Sequence, residues 1–397
     1  MPTISRLRLG LLLAGLPASS LLPACSAAPV EGGDESDAAD SQAIIGGVDA
    51  KSDALGAIGS LGVAVEAASE ETGALDVQYR PFCSGALIGK STVLTAKHCV
   101  DAARKMAAGG RVYFGVGFDG THPDRTVDIV ELGRAPGHEG GSVGFGRDVG
   151  VVHLDEEITD IEPAAMADLS DADIDTRFAA IGYGVQDNKK TFGTRKAGSV
   201  TLRAREGKVF ELIFGSFEAF KQWATTRDRS ELLAHLSAET EEEGNEGEAA
   251  CDIDCLLRKY DEAILLAGYE ALVGAGEGDA QPCHGDSGGP LVRIEGGRLR
   301  VYGVASGVIS TNQLACDYGA VYATLGPEVL AFAKKASTWS DPCGDTKIDG
   351  VCEGRTAKRC TALDEGPRRV TKTDCSLLDQ ACGQDGTGAV ACVDPGN

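Results

Sequence analysis

Positive charge is scarce in this 397-residue chain: 37 Lys and Arg stand against 60 Asp and Glu, a formal charge of −23 at neutral pH. Nucleic acids are gripped through clustered cations that release phosphate counterions, so the imbalance excludes them as partners. An acidic surface needs no special partner, because like charges keep a protein soluble and dispersed. Long apolar runs are missing too. The run Leu9 to Leu16 is too short to span a bilayer, and no later segment is a candidate. Zinc-type spacing is also missing: despite thirteen cysteines, nowhere do two CxxC or Cys/His pairs stand at structural-zinc intervals. Disorder throughout is excluded by an ordinary hydrophobic fraction of 43%.

The cysteines that are present carry information. Twelve lie between Cys83 and Cys392, and six of these fall from Cys343 onward, a density that implies disulfides formed in an oxidising compartment. The start of the chain agrees. Arg6 and Arg8, the apolar run and the small residues Ala24 to Ala28 read as an export signal over residues 1–25. Leu22-Pro23-Ala24-Cys25 is similar to a bacterial lipoprotein box, in which Cys25 would be lipidated and tether the protein to a membrane. Removing Cys25 leaves an even twelve cysteines. Ordinary cleavage near Ala27 or Ala28 is the alternative, so the expected location is exported, either secreted or as an outer-surface lipoprotein.

Residues 26–43 are rich in Asp, Glu, Ser, Gly and Ala and read as a linker or propeptide. From Ile44 to about Tyr183, short β-type runs alternate with glycine-rich turns: Ile58–Val65, Gly85–Leu94, Val112–Phe118, Val127–Leu132, Val149–Leu154 and Ala179–Tyr183. Residues 203–265 break the pattern with helix-like apolar spacing at 217–223, 230–236 and 255–266, around the acidic run 239–248, which reads as a solvated loop rather than a calcium site. Strands resume at Pro290–Ile294, Leu299–Ile309 and Ala320–Leu325, and a helix is expected over Pro327–Ala336, with proline in its first turn. Residues 339–397 form a separate Cys-rich module that needs its disulfides because it has little apolar core.

Three segments carry chemistry. Cys283-His284-Gly285-Asp286-Ser287-Gly288-Gly289-Pro290 sets a serine among glycines that let the backbone turn tightly. Such a hydroxyl needs a neighbouring base and donors for the oxyanion it creates. Cys83-Ser84-Gly85 and then Leu94-Thr95-Ala96-Lys97-His98-Cys99 offer the base. Gly146-Arg147-Asp148 followed by an apolar strand offers a carboxylate to orient it. These blocks, in the order His, Asp, Ser, closely resemble those of the trypsin/chymotrypsin-like serine proteases, with Lys97 where that family has Ala and Arg147 where it has Asn.

The resemblance runs over about Ile44 to Ala336. It implies an all-β fold of two six-stranded antiparallel Greek-key barrels, with a helical insertion in the second half and the small disulfide-rich C-terminal module beyond it. The protease domain would occupy 44–338. It implies a serine endopeptidase acting on protein or peptide substrates without a cofactor or metal, with His98, Asp148 and Ser287 as the triad. The Gly285 and Ser287 amides would form the oxyanion hole, and disulfides would join Cys83 to Cys99 and Cys283 to Cys316. Gln281, six residues before the nucleophile, would floor the specificity pocket, with Ser306, Val308 and Ala320 in its walls. A neutral floor beneath Val308 implies small uncharged P1 residues; His284 and Gln281 could instead favour polar or acidic ones, with Asp317 a minor route to basic ones. Ile44-Ile45-Gly46-Gly47 is similar to the mature family N-terminus, so cleavage between Ala43 and Ile44 would convert a zymogen by pairing the new amine with Asp286. The family's second-half Cys-Ala-Gly-Tyr aligns with Leu266-Ala267-Gly268-Tyr269, which lacks the cysteine, and Cys251 and Cys255 are left inside the insertion. The module could bind a polysaccharide or a surface protein, or serve as a cap. A competing reading is a protease-like protein turned binding factor, but such a protein usually loses a triad member or the oxyanion glycine, and this chain keeps both.

Overall fold

The computed structural model describes residues 44–68, 75–137, 146–185, 192–226, 253–309, 316, 318–344, 346, 348–361, 363 and 367–394. The leader with Cys25, the propeptide with Ala43, the 230–236 helix, the acidic run, Cys251 and Asp317 fall outside them.

Six antiparallel strands close the first barrel: β1 (Ile58–Ala68), β2 (Leu75–Gly89), β3 (Thr92–Thr95), β4 (Arg111–Val116), β5 (Arg125–Arg134) and β6 (Gly150–Leu154), in the spatial order β1-β2-β3-β6-β5-β4. Closure leaves no unpaired edge. The expected single strand Gly85–Leu94 is two, because Lys90 and Ser91 form a tight turn that pairs Gly89 with Thr92. Helix α1 (Lys97–Met106) follows β3 and buries Cys99, Val100 and Ala103 against the barrel.

The second barrel uses β7 (Arg177–Gly182), β8 (Lys196–Ala204), β9 (Glu270–Val273), β10 (Pro290–Glu295), β11 (Arg298–Val308) and β12 (Ala320–Thr324). Because β7 pairs with both β8 and β10, the ring β8-β9-β12-β11-β10-β7 closes on itself. Residues 267–269 form a turn that the Gly268 backbone (φ +80°) enables, and Glu270–Val273 supplies strand β9. Leu272, which pairs with Val321, is therefore a core residue.

Between β8 and β9 the insertion contributes α2 (Val209–Phe214), α3 (Phe217–Thr226) and α4 (Ile253–Glu262). The last is shorter than expected because Ile264 and Leu265 leave the helix to pair with Lys208 and Gly207. Helix α5 (Pro327–Ala336) has the expected bounds. Among the described residues no helix is long and apolar enough to cross a membrane.

The C-terminal residues form a three-stranded sheet, β13 (Val351–Glu353), β14 (Thr356–Cys360) and β15 (Val370–Asp374), and a hairpin, β16 (Ala381–Gln384) with β17 (Val390–Val393). Cystines join Cys343 to Cys360, Cys352 to Cys382 and Cys375 to Cys392. The module is seated on the first barrel. The Trp339 ring stacks on His153 at 4.4 Å between centroids, and the Arg368 amide donates to Glu131 at 3.2 Å. Arg368 also pairs with Asp341 at 3.1 Å.

Candidate active site

The end of β3 delivers His98 into the first turn of α1, and the approach to β6 delivers Asp148. Asp148 is fully buried, an environment a carboxylate tolerates only when its oxygens are bonded. They are. The His98 amide donates to Oδ1 at 2.9 Å, His98 Nδ1 lies 2.7 Å from Oδ2, and the Ser306 hydroxyl donates to Oδ2 at 2.8 Å. This fixes the carboxylate plane and favours the imidazole tautomer that carries its proton on Nδ1, leaving Nε2 basic.

The Ser306 hydroxyl thus faces Asp148. The β11–β12 register slips between Ala305 and Gly307, and the irregularity at Ser306 breaks the alternation that would otherwise fix its face.

The segment bearing Ser287 is wedged between those two regions. The Ser84 amide donates to the Ser287 carbonyl at 2.8 Å, and the Gly288 amide donates to the Ala305 carbonyl at 2.8 Å. A side chain on Gly288 (φ +74°) would stand 2.9 Å from the Ala96 amide nitrogen, two residues before His98, so only glycine permits this approach. Gly285 also has positive φ, +90°. Among the described residues the amides of Gly285 and Ser287 donate to no backbone carbonyl, whereas those of Asp286, Gly288 and Gly289 do. The cystines Cys83–Cys99 and Cys283–Cys316 tie the histidine and serine segments to neighbouring chain.

Asp286 points the other way, into the second barrel, and is 2% exposed. Its oxygens accept from the Gly184 and Cys283 amides, both at 2.8 Å, and among the described residues no cation pairs with it. Burial pushes its pKa up to about 7 against the pull of those two amides. Ile44 is fully buried nearby in the chain path: Ile45 forms an antiparallel bridge with Gln281 through bonds of 2.9 and 2.8 Å.

Gln281 accepts from the Gly319 amide at 2.8 Å through Oε1 and donates to the Asp279 carbonyl at 3.3 Å through Nε2. Val308 and Ala320 face each other across β11 and β12. Two residues before Gln281, Asp279 is buried and paired with Arg203 at 2.8 Å and with Arg177. A cavity of about 210 Å3 opens beside Gly285, lined by Phe82, Tyr183, Val185, Phe192 and His284.

Two braces escaped sequence reasoning. The buried Glu270 accepts from the Gly146 amide at 3.0 Å, and Gly146 in turn accepts from the Asp148 amide at 2.8 Å. Arg147 lies over the Tyr269 ring at 3.9 Å and pairs with Glu328 at 3.0 Å. The replacement of the family's Asn by Arg147 was the signal; its partners, over a hundred residues away, could not be read.

The trypsin family profile matches residues 62–213 and 259–325, more than half of the chain. The match contains all three segments above and skips the middle of the insertion. No curated protein matches the chain. Matched over both barrels, with the serine, histidine and aspartate segments converging at their junction, the chain belongs to the trypsin family of serine proteases.

Proposed function

We propose that the protein is an exported endopeptidase, made as a zymogen, that cleaves after small uncharged residues using His98, Asp148 and Ser287. The observation that carries this is the saturated Asp148, whose ring partner among the described residues is the histidine of the expected motif. In the proposed cycle Ser287 Oγ attacks the scissile carbonyl while His98 Nε2 takes its proton. The Gly285 and Ser287 amides hold the oxyanion, and Asp148 stabilises the imidazolium. His98 then protonates the leaving amine, and water repeats the sequence on the acyl-enzyme.

The P1 preference is supported by three features. Gln281 is neutral, Asp279 is already neutralised by Arg177 and Arg203, and Val308 narrows the wall. Zymogen activation is supported by Asp286, a buried carboxylate whose described partners are amides alone. An Ile44 amine freed by cleavage after Ala43 would supply the missing cation. The sequence Gln42-Ala43 suits the enzyme's own pocket, so activation would be autocatalytic.

The test pairs a P1 peptide library with the Ser287→Ala chain. Wild type should favour Ala-type P1, and the variant should keep its propeptide alone but lose it when mixed with a trace of wild type. Preference for Arg or Lys would overturn the pocket reading, and trimming of the variant in a host without a competent protease would overturn self-activation.

A further inference from the structure

The middle of the helical insertion lies outside the matched family pattern, and its aromatic side chains reach Tyr318, beside the proposed pocket. Phe210, Phe214, Phe220 and Trp223 form one cluster, with Phe214 and Trp223 rings 4.9 Å apart. Both reach Tyr318: Phe214 at 5.3 Å and Trp223 edge-on at 5.6 Å. Tyr318 stands beside the walls of the proposed pocket. Its amide donates to the Ile309 carbonyl at 3.0 Å, and the Ile309 amide donates to the Gly319 carbonyl at 2.9 Å. Gly319 is the residue whose amide holds Gln281 Oε1, and it is followed by Ala320, the partner of Val308.

The same apolar cluster that takes in Val209, Phe210 and Ile213 of α2 also contains Ile309 and Val321, the residues just outside the two walls. On the other side Gly319 lies close to the end of β9: a Cβ there would stand 2.6 Å from the Val273 carbonyl oxygen and 3.1 Å from the Ala275 amide nitrogen. The wall therefore lies between the end of β9 and the insertion.

We infer that Phe214 and Trp223 are positioning residues for substrate selection: through Tyr318 they hold the Gly319–Ala320 wall and the Gln281 floor at the width that accepts a small P1 side chain. The inference rests on the pocket proposed above. Aromatic contacts of this kind are individually small, but a shift worth one methylene in an apolar pocket changes selectivity by about tenfold.

The experiment uses the full, activated chain and four variants, Trp223→Ala, Trp223→Phe, Phe214→Ala and Phe214→Leu, the conservative changes guarding against loss of folding. Trp223→Ala and Phe214→Ala should raise KM for Ala-P1 peptides with kcat nearly unchanged. The ratio of Ala-P1 to Leu-P1 kcat/KM should fall by about tenfold. Labelling of Ser287 by a small fluorophosphonate should keep its rate, and Trp223→Phe should restore most of the ratio. A uniform loss of kcat on all peptides, or an unchanged P1 ratio, would overturn the inference.

A second readout needs no turnover. The chain has two tryptophans, so Trp339→Phe in the Ser287→Ala background leaves Trp223 as the only one. Saturating that protein with an uncleaved Ala-P1 peptide should shift Trp223 emission, and no shift on demonstrated binding would contradict the coupling. A wild-type preference for some other P1 class would remove the pocket reading, but a P1 profile that still moved in Trp223→Ala would keep the coupling intact.

Discussion

Two aspartates are buried at the junction of the barrels, and they are solvated in opposite ways. Asp148 receives an imidazole, an amide and a hydroxyl. Asp286, one residue before Ser287, receives two amides and is pushed towards the neutral acid. The difference separates a carboxylate bonded to an imidazole from one bonded to amides alone among the described residues, and under the proposed activation the second would receive the amine of a new chain end.

Breaking the first site should have the largest effect. Asp148→Asn keeps the shape but favours the wrong imidazole tautomer, and kcat should drop by about 10^4-fold with KM little altered. Steady-state kinetics on the best peptide decide it; a loss under tenfold would place Asp148 outside the mechanism.

The second site should reveal itself in stability. In the uncleaved Ser287→Ala chain, Asp286 has a folded pKa near 7, above its unfolded value. The folded state therefore holds a proton that the unfolded state has lost, and stability falls as pH rises from about 4 to about 7. The cost is at most about 4 kcal/mol. Urea unfolding across that range should show this slope, and Asp286→Asn should flatten it. Trimming to Ile44 should also remove it, because the amine stabilises the carboxylate. An equal slope in the uncleaved, trimmed and substituted proteins would contradict the contrast between the two aspartates.

His153 sharpens the comparison with the opposite sign. Stacked under Trp339 and bonded to Thr92, it is pushed down to about 4 by burial. The unfolded chain takes up a proton first as pH falls below about 6.5, so stability is lost from there to about 4, by about 3 kcal/mol. His153→Gln should abolish this acid slope, and Trp339→Ala should weaken it by wetting the ring, both read by unfolding at pH 4 to 7. The smallest effect is expected at Ser306→Ala. It leaves both His98 bonds in place, so kcat/KM should fall by about tenfold, the scale of one bond to a charged group.

What could be read from sequence divides along physical lines. Most strands of the two barrels and the Pro327 helix followed from local periodicity, though Lys196–Ala204 and Glu270–Val273 did not, and the three candidate catalytic segments followed from chemistry held within a few residues. The limits lie where long-range packing decides. The strand Glu270–Val273 was not foreseen: the Gly146 and Leu266 amides hold the buried Glu270 carboxylate where it begins. The bond from the Ser306 hydroxyl to Asp148, beside a register irregularity that pairing alone determines, was hidden as well. The three cystines of the tail were one of fifteen pairings, and no local property selects among them. The seat of that tail on Glu131 and His153 was equally hidden, since each contact joins residues some two hundred positions apart.

The most direct test of the central claim is covalent labelling by a fluorophosphonate, mapped by peptide mass after activation to Ile44. The account predicts a single adduct on Ser287 that forms in the wild type and is strongly slowed in His98→Ala. It also predicts little labelling of the untrimmed chain, where Asp286 lacks its cation. Labelling of another serine, or equal labelling of Ser287 with and without His98, would contradict the assignment of His98, Asp148 and Ser287 as one catalytic unit.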